Sequence, residues 1–396
     1  MYQSKLILLI RNRKSVFMII QSKKVWIGDQ FFPASIEIKN KKIVHIFPYG
    51  SKPTDIDYND KRIVPGFLDI HCHGAYGFDT NDAKEEGLRN WAKHIASEGV
   101  TAFLPTTITQ SEEVLTKAVT NVANVMEKGY EGAEILGIHL EGPYLNAQYK
   151  GAQPEQFIVK GTIEQFERYQ TAAKGNIRYV TMATETDTDF SLVKYLTEHG
   201  VVVSIGHSAA TYEEAVLAWA NGASSMTHVY NGMTPFHHRA NGLTGAAFRL
   251  RTMYGEIICD GNHSTPAALN AYFMSKGPDY SIMISDALLA KGTPMGSKFL
   301  FGGNEITTSS DGSARLTDTG TLAGSTLKIN EGLRILIEDA LVPFHYAINS
   351  CTINPARCLG IEHRKGCIKA GMDADLVVLD TDYNVIQTYC MGKATL

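Results

Sequence analysis

None of the six cysteines, at positions 72, 259, 351, 358, 367 and 390, forms a CxxC pair. Their spacing excludes a zinc ribbon and gives no disulfide framework, so a reducing cytoplasm is the simpler setting. No stretch approaches the roughly 20 consecutive apolar residues of a membrane helix. "LILLI" near the start is too short for a signal core, and basic residues surround it. Excess basic charge is also missing. With 37 Lys and Arg against 41 Asp and Glu, the formal net charge is −4. That excludes non-specific binding to nucleic acid and leaves no membrane partner. No repeat of 20–50 residues and no low-complexity tract occurs, so a solenoid is excluded.

What is present suits a soluble globular chain, 44% apolar and 20% charged. Its 396 residues exceed one ordinary core, though a barrel can fill most of that length. A regular pattern begins only at Met18, so residues 1–17 are expected to be a dispensable extension. Residues 18–62 then read as short strands with turns at Gly28-Asp29 and Asn40-Lys41. The far end, "GCIKAGMDADLVVLD" and "YNVIQTYCMG", has the same character. Two β-rich ends around a different middle predict one small β domain, 18–62 with 355–396.

Between them, in 63–354, apolar strands alternate with helical patterns. The strands are "GFLDIHCHG", "VTAFLPTTIT", "EILGIHLEG", "IRYVTMATE", "VVVSIGHS", "SSMTHVYN", "GEIICDGNH" and "SIMISDA". Helices such as "SEEVLTKAVTNVANVMEKG" and "TYEEAVLAWANG" open near Ser, Thr or Asp and mostly close near Gly. Eight such units predict an α/β fold, a (β/α)8 barrel with a parallel sheet covered by helices.

Barrel enzymes place their chemistry at the C-terminal strand ends. Read in order, those ends carry His71 and His73, then Glu141, His207, His228, Asp260 with His263 just beyond, and Asp286. Imidazole and carboxylate together suit a divalent metal: zinc first, with iron, cobalt, nickel or manganese as alternatives. A single histidine at a strand end is ordinarily a hydrogen-bonded structural residue. The same residue types recurring around one mouth have no packing explanation. Strand alternation turns His71 and His73 to one side and Cys72 to the other, so Cys72 reads as packing. His139 precedes Glu141 by two, and reads as support for the site rather than as a ligand. The loop "TPFHHRANG" groups His237, His238 and Arg239, either a solvated basic loop or a phosphate clamp. "GGNEITTSSDGSARLTDTGTLAGS" reads as loop, with a hairpin signal at Asp311-Gly312. Its "LAGS" is expected to open a helix, whose amides either hold an anion or are capped by Ser325.

"PGFLDIHCHG", "GIHLEGPYLN", "KGAQ", "SIGHSAATYEEA", "MTHVYNGMTPFHHR", "DGNH", "ISDA" and "TLAGS" together resemble the amidohydrolase superfamily. Within it they are similar to the N-acetylglucosamine-6-phosphate deacetylase family. The resemblance runs from about Met18 to the C-terminus. It implies a TIM-like barrel beside a small β-sandwich built from both chain ends. It implies hydrolysis of the acetamide of N-acetylglucosamine 6-phosphate by water activated on a metal. Glu141, His207 and His228 match ligands of the main metal, and Asp286 matches the catalytic base and acid. His71 and His73 match positions that allow a second metal sharing Glu141, making one or two ions per subunit. Ala152, Asn231, Gly232, Arg239, His263, Leu322, Ala323 and Gly324 match substrate-contacting positions. Gln153 stands where some members have histidine, and can donate to the substrate carbonyl but cannot carry a positive charge. Family members are often homodimers in which the phosphate-binding arginine reaches across, so Arg239 is expected to serve a neighbour's site. Three readings compete with this one: an amidohydrolase for another phosphorylated acetamido sugar, one for a cyclic amide, and a phosphosugar sensor without turnover.

Overall fold

The computed structural model describes residues 17–395. The expected extension, 1–17, lies outside the described residues except for Phe17. Eight parallel strands follow one another around a barrel: Phe67–Cys72, Val100–Thr107, Ile138–Glu141, Ile177–Met182, Val202–Ile205, Ser225–Met226, Tyr254–Ile258 and Ser281–Ile284. Each corresponds to one of the eight apolar runs read from the sequence. The seam between last and first strand is closed by backbone bonds, Asp286 N–H to His71 O at 2.9 Å and His73 N–H to Ala287 O at 2.8 Å. Asp69 seals the same seam deeper, accepting from the Ser285 hydroxyl at 2.5 Å.

Local chemistry explains the helices that wrap the barrel. Ser111 caps Glu112–Lys128, Thr162 caps Ile163–Ala172, and Thr211 with Glu214 forms a capping box on Tyr212–Ala220. Their apolar stripes bury Leu115, Val119, Val122, Phe166, Tyr169 and Ala215 against the strands. The third strand departs from the continuous run expected. It pairs as Glu134–Ile135 and again as Ile138–Glu141, broken at Gly137. There φ is +145°, and a Cβ would stand 2.4 Å from Arg178 Cγ. Only glycine passes that point without displacing a neighbour.

The chain's two ends form a separate, mostly antiparallel sheet. Its order runs Lys393–Ala394, Val385–Cys390, Leu376–Leu379, Arg62–Pro65, Phe17–Ile27, Gln30–Lys39, Lys42–Pro48. Backbone bonds from Ile43 to Met372 and from Ala374 to Lys41 link the far strand back, so the sheet curls around its own core of Ile20, Ile36, Ile38, Ile63, Leu376 and Val378.

Between barrel and sheet lies an ion cluster far from the barrel mouth. Glu134 accepts from Arg364 at 2.8 Å and from Lys365 at 2.8 Å, Lys365 also meets Asp373 and Asp375, and Lys42 meets Asp373 at 2.8 Å. Three cations balance three anions. Lys365 and Asp375 are buried, so removing one charge strands the others. Lys365→Met should destabilise the folded chain by about 3–5 kcal/mol. A urea denaturation series would show this as a lower midpoint at unchanged slope.

Candidate metal centre

The strand ends deliver six side chains to one point. Glu141 closes the third strand, and its Oε1 lies 3.3 Å from His207 Nε2, 3.3 Å from His228 Nε2 and 3.4 Å from His71 Nε2. Its Oε2 lies 3.1 Å from His73 Nε2. Asp286 Oδ1 faces His73 at 3.2 Å and His71 at 3.4 Å. All six are buried. His207, His228 and Asp286 each sit where the chain turns out of its strand, with φ of +46°, +31° and +48°. Side-chain-bearing residues pay roughly 1–3 kcal/mol for such a conformation, and it clusters where geometry serves function. Here it swings each side chain back over the mouth.

The histidine tautomers follow from their outer partners. His207 Nδ1 lies 2.8 Å from Tyr149 O and His228 Nδ1 3.0 Å from Asn231 O. A carbonyl only accepts, so both Nδ1 atoms carry hydrogen. Both Nε2 atoms therefore present lone pairs, yet they face each other at 3.1 Å with Glu141 beside them. Glu141 Oε1 and His71 Nε2 have no hydrogen-bond partner among the described residues. Unshared pairs and a negative charge converging in a buried site lack a cation. The donors, two imidazoles and a carboxylate, are those zinc takes. His71, His73 and Asp286 offer a second set. The expected metal fits these residues.

The same convergence of carboxylates favours charge on the facing rings. Burial opposes charge on His73, but Asp286 and Glu141 outweigh it and lift the ring to about 9. His71 rises too, against its burial, through Glu141, Asp286 and Glu256. Burial likewise works against ionised Asp286, and the facing His71 and His73 hold its carboxyl below the usual range. Cys72, as strand alternation predicts, points away into the main core with Sγ 3.5 Å from Leu104 O. Burial pushes its thiol well up, so it is no ligand.

Above the metal ligands opens a cavity of about 230 Å³. Ala152, Gln153, Asn231, Gly232, His263, Leu322, Ala323 and Gly324 line it together with Glu141, His73, His207, His228 and Asp286. Gln153 is held from both ends: its carbonyl accepts from Thr109 N at 2.8 Å and its amide donates to Glu141 Oε2 at 2.8 Å. His263 Nδ1 bonds Asp260 at 2.7 Å, which lifts that ring above its ordinary value despite burial. Gly232 must be small, because a Cβ there would stand 3.0 Å from His207 Nδ1.

Some expectations need correction. "LAGS" opens no helix. Leu322–Ser325 is irregular, with isolated bridges from Leu322 to Arg315 and from Ser325 to Ala287, and the next helix begins at Ile329. Gly324 has φ of +84°, and the Ser325 hydroxyl bonds Ser285 O and Leu327 N rather than capping. Arg239, with His237 and His238, is exposed and does not reach this cavity. The tract read as loop, 302–325, instead holds two strands, Asn304–Thr308 and Ala314–Leu316, which join Lys298–Phe301 in a three-stranded antiparallel sheet with Asp311-Gly312 in its second turn. An apolar cluster of Phe301, Ile306, Ile108, Leu288 and Ala323 seats it on the mouth. Phe301, edge-on to His73 at 5.4 Å, was not singled out in the sequence, nor was Glu256, 2.9 Å from His71 Nδ1. The signal for Glu256 was there: a carboxylate two residues inward of Ile258 in an otherwise apolar strand. His139 is buried under the site, bonding Thr181 at 2.8 Å with its ring against His71.

The amidohydrolase family profile matches residues 62–395. The N-acetylglucosamine-6-phosphate deacetylase of Bacillus subtilis (strain 168) is 41% identical over 339 residues, 84% of each chain. The N-acetylgalactosamine-6-phosphate deacetylase of Escherichia coli O157:H7 is 33% identical over 368 residues, 93% of this chain and 95% of that one. The solved N-acetyl-D-glucosamine-6-phosphate deacetylase mutant of Mycobacterium smegmatis, in complex with N-acetyl-D-glucosamine-6-phosphate, superposes with TM-score 0.91 at 29% identity. It covers 96% of this chain and 99% of that one.

Because His71 and His73 hold protons that a metal must displace, zinc uptake by the stripped protein at pH 7 should release protons. Zinc affinity should fall as pH falls. Titration calorimetry in two buffers of different ionisation enthalpy would read the proton count. Identical heats in both buffers would contradict this electrostatic picture.

Proposed function

The chain belongs to the amidohydrolase family, and from that premise we propose that it hydrolyses N-acetylglucosamine 6-phosphate to glucosamine 6-phosphate and acetate. The supporting observation is the buried meeting of Glu141, His207 and His228 with Asp286 at the floor of a sugar-sized cavity. A divalent metal held by Glu141, His207 and His228 supplies polarisation of the acetamide carbonyl and acidification of water. Zinc suits the donors best, and His71, His73 and Asp286 offer a place for a second ion.

The chain's own groups do the rest. Ionised Asp286, kept so by His71 and His73, takes a proton from the attacking water. As the carbon–nitrogen bond breaks, it returns that proton to the departing sugar amine. Gln153, held by Thr109 and Glu141, sets the carbonyl side of the cavity with a neutral amide. Ala152, Asn231, Gly232, His263 and the Leu322-Ala323-Gly324 segment enclose the sugar and keep the acetamide over the metal. Phe301 and Leu288 close the apolar side and exclude water.

Arg239 completes the site from outside. It lies exposed in a loop with exposed Phe236. Our reading is a homodimer in which each Arg239 clamps the phosphate in its neighbour's cavity. Six free cysteines and no described helix long and apolar enough to cross a membrane accord with a cytoplasmic setting.

A second reading is favoured by the Escherichia coli relative, which acts on the galacto epimer. Acetate release decides. Expected is turnover of N-acetylglucosamine 6-phosphate, abolished by chelator, with slower release from the galactosamine epimer and from unphosphorylated sugar. No acetate from either phosphosugar would leave a sensor.

Asp286→Asn should lower kcat by about 10²- to 10⁴-fold while the metal held by Glu141, His207 and His228 persists. Mixing inactive Arg239→Ala chains with inactive Asp286→Asn chains tests the dimer. If Arg239 crosses over, one site per mixed dimer is whole, and roughly a quarter of wild-type activity returns. If Arg239 serves its own chain, none returns.

A further inference from the structure

Glu256 is a fully buried carboxylate in the seventh barrel strand. Its Oε2 meets His71 Nδ1 at 2.9 Å, and its Oε1 has no partner among the described residues. A buried carboxylate with so little satisfaction is costly, and apolar side chains in place of both Glu256 and His71 would serve the fold as well or better. Its placement therefore asks for a reason beyond packing.

That reason lies in the ring it touches. His207 and His228 have their Nδ1 hydrogens fixed by backbone carbonyls, whereas His71 Nδ1 meets a carboxylate instead. A carboxylate oxygen accepting from Nδ1–H holds the ring so that Nε2 is the atom turned toward Glu141 and Asp286. It also strengthens His71 as an electron-pair donor, as carboxylate partners of metal-ligating histidines do. The adjacent His139 cannot replace it: its Nε2 is engaged by Thr181, and its ring meets His71 edge-on, at 78°.

We propose that Glu256 is the positioning residue for a second metal, holding His71 in the tautomer and orientation that bind an ion between His71, His73 and Asp286. This rests on the metal-dependent reading above and adds to it the residue that sets occupancy of the second position. The main position does not use Glu256, because Glu141, His207 and His228 have their own supports.

The test is zinc counting on the full chain, which needs no substrate and so stands apart from the deacetylase reading. Stripped wild type, Glu256→Met and Glu256→Gln are titrated with Zn²⁺ against a competing chelator, and bound metal is measured by mass spectrometry. Wild type should take two equivalents. Glu256→Met should keep the first unchanged and bind the second about 10- to 100-fold more weakly. Glu256→Gln, which retains an acceptor without the charge, should fall between. Thermal melts of metal-free Glu256→Gln, which still accepts from His71 Nδ1, should match wild type, separating this role from a structural one. Two equivalents bound with wild-type affinity in both variants would overturn the proposal. So would a single equivalent in the wild type, or a loss of metal that follows a loss of thermal stability.

Discussion

Two imidazole lone pairs and a carboxylate, forced together inside a buried floor, are the constraint on which this structure turns. His207 and His228 point Nε2 atoms at each other across 3.1 Å, and Glu141 faces both. Nothing in a protein core favours that arrangement by itself. Low dielectric magnifies repulsion among like partial charges, and each group has lost its water. The barrel holds them there because every other demand on these side chains is already met. Tyr149 O and Asn231 O occupy the Nδ1 hydrogens, and Gln153 occupies Glu141 Oε2. What remains unsatisfied points at one spot, and a divalent cation satisfies it.

The scaffold sustains this through its seam and its strand ends. The last and first strands meet through Asp286 N–H to His71 O, so the bond that closes the barrel also fixes Asp286, the proposed acid/base, beside a candidate ligand. Three of the site residues accept a left-handed backbone at the point of leaving their strands. Local strain of that kind persists only in surroundings rigid enough to over-determine it. The remote ion cluster around Lys365 belongs to the same logic: it ties the small sheet to the barrel at the end opposite the chemistry, where tight packing costs the site nothing.

How much of this could be read from the chain alone differs by residue. The eight strands were legible because each is a short apolar run bounded by turn residues. The metal ligands were legible because His and Glu recur at the ends of those runs. Cys72 yielded to simple alternation, and burial in the core agrees with it. Other features escaped for physical reasons. The helix expected at Leu322–Ser325 rested on a serine that resembles a cap, but its hydroxyl is taken by Ser285 O and Leu327 N. A positive φ at a histidine has no signature in residue type. Glu256 was overlooked because attention to strand ends passes over a charge buried in mid-strand. Arg239 was visible as a charge, but its exposed position depends on tertiary structure.

The division between rigid floor and adjustable wall bears on specificity. In the proposed reaction Glu141, His207, His228 and Asp286 serve the acetamide, and a sugar epimer would present the same acetamide to them. Discrimination between epimers must then come from the wall, where hydroxyl orientation is felt. That wall is built from loop segments: Asn231-Gly232, His263, and Leu322–Gly324 packed against the small sheet bearing Phe301. A site that hydrogen-bonds one hydroxyl rejects an epimer by leaving its own polar group unpaired. Relatives named for the gluco and galacto compounds align along most of this chain at 41% and 33% identity. A floor shared among them with a variable wall would account for both names without any change in the chemistry.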